Sequence, residues 1–320
     1  MNFRTLGRTQ LNISEVGFGS WGISGNSYGT TSDVESINAL NYAFDQGINF
    51  IDTADIYGFG HSEELVGKAI KGQRDNFTIA TKGGWDFTQG AVKANYDPAY
   101  IREAIHSSLK RLNTDVIDVY QLHNPPDVIL ENPQPLLEQL KLAQKEGKIR
   151  FIGVSIFVPW QGVEWGKLEG VDVIQCIYNL IDQRVDGEFL SFSQEHNLGV
   201  IAREPLNCGV LTNKYSEEVE FPKNDHRRRW SPEKLKLMLQ KLAVYKERFS
   251  SLKTNPVQFA LSFVLQNQNI STVIPGCKTV SQVKENILAS QDNIISEEML
   301  EEIRHIYKED KLFDEGFVQK

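Results

Sequence analysis

The chain has 320 residues, and its 34 Lys and Arg against 42 Asp and Glu give a formal net charge of −8. This acidic balance argues against non-specific binding to nucleic acid or to an anionic membrane, because both require clustered positive charge. The three cysteines are far apart in the sequence and form no CxxC motif, so neither a disulfide framework nor a cysteine-rich zinc site is expected. The N-terminal residues lack the apolar core of a signal peptide. We therefore expect a cytoplasmic protein that binds no nucleic acid and no membrane.

Eight short runs rich in Val, Ile and Phe have the composition of buried strands, and segments with a 3.6-residue apolar period lie between them. The runs are residues 16–19, 50–53, 77–80, 116–120, 151–154, 173–177, 200–202 and 272–274. The expected helices are 34–46, one that begins at 62, 98–112, 136–146, a short one from 159, 188–196, 256–265 and 281–290. This alternation predicts a parallel sheet, and eight units over this length favour a (β/α)8 TIM barrel.

An open doubly wound sheet is the alternative fold. It normally places a GxGxxG turn between the first strand and the first helix. Residues 17–22 match that pattern nominally, but Trp21 is bulky and the next helix begins too far along the chain. Around the barrel units we expect an N-terminal hairpin over 3–14, a long loop over 212–250 after the seventh strand and an extra C-terminal helix over 296–309. No linker interrupts the chain, which predicts one domain spanning residues 1–320.

Four polar residues follow three consecutive strands, at the ends where a TIM barrel carries its active site. Asp52 and Tyr57 follow the second strand, Lys82 the third and His123 the fourth. A tyrosine has an ordinary pKa of about 10, and a neighbouring ammonium lowers it, which suits the phenol to donate a proton. Such a group contains no electron source, so a cofactor must supply hydride.

Two further clusters complete the site. The aromatic residues Trp21, Tyr28, Trp85 and Phe87 follow the first and third strands and are expected to line a substrate cleft together with His123. Lys278 and Thr279 directly precede a predicted helix, so a cation and a helix N-terminus combine into an anion site suited to a 2′-phosphate.

The segment Phe-Ile-Asp-Thr-Ala-Asp-Ile-Tyr-Gly at 50–58, followed by Thr81-Lys82 and Gln121-Leu122-His123, resembles the aldo-keto reductase family over nearly the whole chain. The resemblance implies that Tyr57 is the general acid and base, that Asp52 and Lys82 tune it, and that His123 orients the carbonyl. It also implies that NADPH, with NADH as the alternative, reduces a small-molecule aldehyde or ketone, such as a sugar or a small aromatic aldehyde. No metal is implied.

The resemblance also implies the cofactor contacts. The carboxamide is expected at Ser155 and Gln175, the pyrophosphate along the segment 205–215, and the adenosine at 274–286. The full set of expected contacts is Gly19, Ser20, Trp21, Asp52, Ser155, Gln175, Arg203, Pro205, Leu206, Gly209, Leu211, Lys214, Arg227, Gly276, Lys278, Thr279, Gln282, Glu285 and Asn286. Two positions depart from the family pattern. Ile156 replaces an Asn that is common there. Arg203 replaces an aromatic residue that stacks on the nicotinamide, and a planar guanidinium can stack in its place.

Two other functions fit parts of the pattern. Potassium-channel β subunits keep the same four residues, so a cofactor-sensing regulatory subunit with little turnover is the alternative. A metal-dependent sugar isomerase needs more carboxylates and histidines at the strand ends than this chain offers. The residue pattern predicts no oligomeric state, and the substrate is expected to depend on loops and on a tail that contains Phe313 and Phe317.

Overall fold

The computed structural model describes residues 1–25, 27–88, 90–292 and 294–310. Phe313 and Phe317, predicted to help shape the substrate site, lie outside them. The strands are β1 (Phe3–Thr5), β2 (Asn12–Ser14), β3 (Phe18–Gly19), β4 (Phe50–Asp52), β5 (Thr78–Gly83), β6 (Trp85–Asp86), β7 (Lys93–Ala94), β8 (Ile117–His123), β9 (Ile149–Ser155), β10 (Val171–Ile177), β11 (Gly199–Arg203) and β12 (Thr272–Val273).

Eight of these strands form one parallel sheet in the order β12, β11, β10, β9, β8, β5, β4, β3. Parallel bridges between Val16 and Val273 and between Gly19 and Gly276 join the first strand to the last. The sheet therefore curls round to meet itself, which confirms the predicted (β/α)8 barrel. Outside the barrel wall, β1 and β2 form the expected hairpin, and β6 and β7 form a short antiparallel ribbon.

The helices are α1 (Asp33–Asp45), α2 (His61–Ala69), α3 (Pro98–Leu112), α4 (Gln134–Lys145), α5 (Pro159–Gly166), α6 (Glu188–Glu195), α7 (Pro232–Arg248), α8 (Pro256–Gln266), α9 (Val280–Ile287) and α10 (Glu297–Glu309). The long connection after β11 contains α7, a helix of 17 residues that the sequence prediction treated as loop. None of the helices in the described ranges combines the length and the apolarity that crossing a membrane requires.

The barrel interior has an apolar lower layer. Leu6 and Ile13 of the hairpin pack there with inward-facing strand residues, namely Phe50, Ala80, Val119, Val173, Ile201 and Ile274. The hairpin therefore plugs the end of the barrel at which the strands begin, as expected. Because side chains alternate along a strand, the residues two positions further on also face inward. These are Asp52, Lys82, Gln121, Gln175 and Arg203, so the next layer toward the C-terminal ends of the strands is polar.

Candidate active site

The Lys82 side chain lies at the centre of the polar layer and is completely buried. Its Nζ donates to Asp52 Oδ1 at 2.6 Å, to the backbone oxygen of Thr53 at 2.8 Å and to the Tyr57 hydroxyl at 3.2 Å. An ammonium group has three N–H donors, and each has a partner here. Asp52 and Lys82 meet because β4 and β5 are neighbours in the sheet, with Asp52 opposite Ala80. The structure thus brings three of the four predicted catalytic residues into direct contact.

The second carboxylate oxygen of Asp52 also accepts hydrogen bonds. Gln175 Nε2 donates to it at 2.7 Å and Gln121 Nε2 at 3.2 Å, and Gln175 Nε2 also approaches Gln121 Oε1 at 3.1 Å. Gln175, expected at the nicotinamide carboxamide, therefore directs its amide nitrogen at the Asp52 carboxylate. Gln121 had no predicted role. Its position two residues after inward-facing Val119 was the signal that could have assigned it one.

The protonation states follow from burial and from this contact. Burial raises the pKa of the Tyr57 phenol, and the nearby Lys82 ammonium offsets only part of that rise, so the net pKa lies above the ordinary value. Lys82 therefore lowers the pKa of Tyr57 as predicted, but the prediction of a net decrease is wrong because burial raises the pKa by more. Burial lowers the pKa of Lys82, but Asp52 and Tyr57 raise it further than burial lowers it. At neutral pH the site holds a protonated phenol beside a lysine cation.

His123 lies at the end of β8, and its ring is nearly perpendicular to that of Tyr57, with 5.9 Å between the centroids. Burial and the cations Lys82 and Arg203 hold the pKa of His123 well below its usual value, so the imidazole is neutral. Its Nδ1 is buried and has no hydrogen-bond partner among the described residues. The backbone oxygen of His123 accepts from Trp85 Nε1 at 2.7 Å and from the Tyr96 hydroxyl at 2.6 Å. Trp85, predicted to contact substrate, therefore also anchors the strand end.

A stack of aromatic rings covers Tyr57. Trp21 stacks on Tyr57 with 5.5 Å between centroids and on His226 with 4.9 Å. Tyr28 meets His226 edge-on at 4.7 Å. Of the predicted cleft residues, Trp21 thus contacts the candidate proton donor, and Tyr28 lies on the far side of this contact, against Trp21 and His226. His226, which no sequence pattern assigned, reaches them from the connection after β11.

Arg227, a predicted cofactor contact, is held by groups of the protein itself. Its guanidinium donates to both carboxylate oxygens of Asp225, at 2.9 and 2.6 Å, and to the backbone oxygen of Cys208 at 3.1 Å. The guanidinium carbon also lies 4.5 to 5.0 Å from the ring centroids of Tyr28, Tyr215 and Phe221. Arg227 is buried, and its charge is balanced within the loop, so it ties the loop to the rim of the barrel.

Arg203 at the end of β11 forms an ion pair with the adjacent Glu204 and donates to the backbone oxygen of Ile156 at 3.1 Å. Its guanidinium carbon lies 5.4 Å from the ring centroid of Phe157. The Glu204 carboxylate therefore neutralises the cation at the position predicted to lie beside the nicotinamide. The Nε atom of Arg203 is buried and lacks a partner within the described part of the chain.

The predicted anion site lies at the start of α9. Thr279 caps the helix by accepting from the Gln282 backbone N–H at 3.3 Å, and Gln282 Oε1 accepts from the Lys278 backbone N–H at 2.7 Å. Lys278 Nζ donates to the backbone oxygen of Tyr28 at 2.7 Å. The structure records no ion pair for Lys278 in the residues it describes, and burial lowers its pKa. This half-buried cation thus has no carboxylate partner.

The other predicted contacts are distributed around the same rim. Lys214 pairs with Glu285 at 3.6 Å and joins the segment after β11 to α9. Asn286 is buried on α9. The Ser155 hydroxyl donates to Asn124 Oδ1 at 3.1 Å, and the Ser20 hydroxyl accepts from Ser62 at 2.7 Å. Gly19 and Gly276 meet at the seam of the barrel. The segment with Pro205, Leu206, Gly209 and Leu211 follows β11 directly.

The comparisons with known proteins show the family of this chain. The sequence profile of the Aldo/keto reductase family matches residues 15–308. The chain belongs to the aldo/keto reductase family. Family members use NADPH as the hydride donor and act on small carbonyl compounds. The chain is 33% identical over 313 residues to an uncharacterized oxidoreductase, YqkF, of Bacillus subtilis, covering 97% of this chain and 98% of the relative.

Solved structures of the family have the same fold. The holo form of the aldo-keto reductase AKR11C1 from Bacillus halodurans superimposes with a TM-score of 0.81 at 31% identity, covering 96% of each chain. The glycerol dehydrogenase AKR11B4 from Gluconobacter oxydans gives a TM-score of 0.79 at 28% identity, covering 96% of this chain and 95% of the other. The predicted fold and family are therefore confirmed.

Proposed function

We propose that this chain is an NADPH-dependent reductase of aldehydes and ketones in which Tyr57 donates the proton. The observation that carries the proposal is the buried Lys82 cation, which contacts both the Asp52 carboxylate and the Tyr57 hydroxyl. A general acid needs its proton at the working pH and needs stabilisation of the charge left behind. The raised pKa of Tyr57 meets the first requirement, and Lys82 meets the second.

The residues of the rim fit the cofactor. Arg203 Nε and Asn207 Nδ2 are buried donors without a partner in the described ranges, and a ligand rich in carbonyl and phosphate oxygens satisfies such donors. Lys278 provides a cation that forms no ion pair with any described carboxylate, and it lies beside the N-terminus of α9, which suits a 2′-phosphate. When it is bound, the nicotinamide supplies the hydride that the side chains cannot.

The side chains then have distinct tasks. Tyr57 donates its proton to the carbonyl oxygen, and Lys82 stabilises the phenolate that forms. Asp52 holds Lys82 in place, and two glutamines hold Asp52. His123 is neutral, so its one N–H group donates a hydrogen bond to the substrate oxygen and keeps its proton, which adds no charge to the site. Trp21 covers the Tyr57 ring and limits the access of water.

The substitution Tyr57→Phe tests the proposal. We expect kcat/KM for aldehyde reduction with NADPH to fall by about 10²–10⁴-fold, the range for the loss of a general acid. Thermal stability should change little, since one hydrogen bond contributes about 1 kcal/mol. Tyr42→Phe on the outer helix α1 is the matched control and should reduce aldehydes as the unmodified enzyme does. Turnover retained in Tyr57→Phe would exclude Tyr57 as the donor.

A further inference from the structure

Phe59 has an unusual backbone conformation. It lies between Gly58 and Gly60 in a turn in which all three residues have positive φ, at 64°, 55° and 98°. Glycine adopts this left-handed region readily, but a bulky aromatic residue rarely does. The local backbone therefore favours a third glycine at position 59. Backbone strain of this kind concentrates at functional sites.

Packing in the core does not explain why a phenylalanine occupies position 59 either. Phe59 is 56% exposed. Its ring contact is with Phe87, with 5.5 Å between centroids and 50° between planes. Phe59 follows the candidate proton donor Tyr57 by two residues. Phe87 directly follows β6, whose Trp85 donates to the backbone of His123. The two rings therefore join the loops that position the two groups expected at the substrate oxygen.

Exposed apolar side chains concentrate at this end of the barrel. Of the eight large apolar residues that are exposed in the described ranges, six lie in loops or first helical turns that follow the C-terminal ends of the strands. They are Val34, Phe59, Val92, Val128, Phe157 and Trp160. Phe59 lies at this end in contact with a second phenyl ring, Phe87, and exposed apolar surface beside a candidate site suits an apolar group of a ligand.

We propose that Phe59, together with Phe87, is a specificity-determining residue that binds the apolar tail of a straight-chain aldehyde whose carbonyl lies at Tyr57. This inference rests on the proposed carbonyl reductase function and adds the substrate class. A polyol chain would place hydroxyl groups against two phenyl rings that offer them no hydrogen-bond partner, so an alkyl tail fits this subsite better than a sugar does.

The experiment compares octanal with propanal as substrates of the unmodified enzyme, Phe59→Gly and Phe3→Ala. Octanal has a longer alkyl tail than propanal, and each buried methylene increases binding by up to about fourfold. Partial burial of the tail should therefore make kcat/KM for octanal at least about tenfold higher than for propanal. In Phe59→Gly this ratio should fall at least about fivefold, mainly through a higher KM for octanal. Phe3 is 46% exposed at the opposite end of the barrel, so Phe3→Ala should keep the ratio.

Thermal unfolding separates this role from a structural one. Because glycine fits the left-handed backbone better, Phe59→Gly should unfold at the same or a higher temperature while it selects less well for octanal. A lower unfolding temperature with an unchanged ratio would show that Phe59 only supports the fold. An unmodified enzyme that reduces propanal and octanal equally well would overturn this inference and leave the proposed function intact. Reduction of neither aldehyde, nor of any other carbonyl compound, would overturn both.

Discussion

The Lys82→Met variant tests whether Lys82 acts through Tyr57. The ammonium lies 3.2 Å from the Tyr57 hydroxyl and is completely buried, so solvent screens it little. At an effective dielectric constant of about 20, two unit charges at this distance interact with about 5 kcal/mol. If the proton is about half transferred in the transition state, Lys82 stabilises it by about 2.5 kcal/mol, which corresponds to roughly 70-fold in kcat.

The same change also weakens the fold, and the assay must separate the two effects. Asp52 loses its cationic partner and keeps the two glutamine donors, and breaking a buried ion pair costs about 3–5 kcal/mol of stability. Reduction rates are therefore measured well below the unfolding temperature, after circular dichroism confirms the fold. Titration of NADPH fluorescence reports whether the cofactor site is intact.

The double variant of Tyr57→Phe and Lys82→Met decides the question. If Lys82 acts only on the phenol, removing it from an enzyme that already lacks the hydroxyl has no further effect on the proton transfer. The double variant should then be within about threefold of Tyr57→Phe alone, since residues that act as a unit are not additive. A full additional loss of roughly 70-fold would show that Lys82 acts independently of Tyr57, which would refute the reasoning.

Two further predictions concern pH and the cofactor. Because burial raises the pKa of Tyr57 and lowers that of His123, kcat/KM for reduction should be level from about pH 6 to about pH 9 and fall only where the phenol loses its proton, above about pH 10. An inflection near the ordinary histidine pKa would show that His123 titrates in the working enzyme. Lys278→Met should weaken NADPH binding by about 10-fold or more and leave NADH binding within about twofold, because only NADPH carries the 2′-phosphate. An equal loss for both cofactors in fluorescence titrations would remove Lys278 from the phosphate site.

Much of the barrel was predictable because its signals are local. Each predicted strand lies in the observed sheet, and the hairpin and the extra C-terminal helix are present. The helix α7 was missed although its signal exists. Ser231 caps it and Pro232 begins it, and its buried residues Leu235, Met238 and Leu242 repeat at the spacing of a helix. That repeat lies within a lysine-rich segment next to the basic run 226–229, so the charge pattern obscured the apolar one.

The partners of the charged side chains were less predictable, because they depend on contacts between distant loops. The sequence did not show that Asp225 and three aromatic rings from two segments surround Arg227. The sign of the pKa shift of Tyr57 likewise depends on the balance between burial and a neighbouring charge. The sequence predicts that a lysine lies near Tyr57, but only the packed structure shows how far Tyr57 is buried away from water.

The strand register determines both where Lys82 lies and how dry its surroundings are. Phe50 and Ala80 face the barrel interior one layer below Asp52 and Lys82, and they pack against the apolar side chains of the hairpin. Water is thus excluded beneath the ion pair, and a lower local dielectric strengthens the effect of the Lys82 charge on the phenol. A shift of one residue in the pairing of β5 would turn both Ala80 and Lys82 away from the interior. The alternation of side chains along β5 therefore places the apolar Ala80 below the site, where it excludes water, and places the Lys82 cation next to Tyr57.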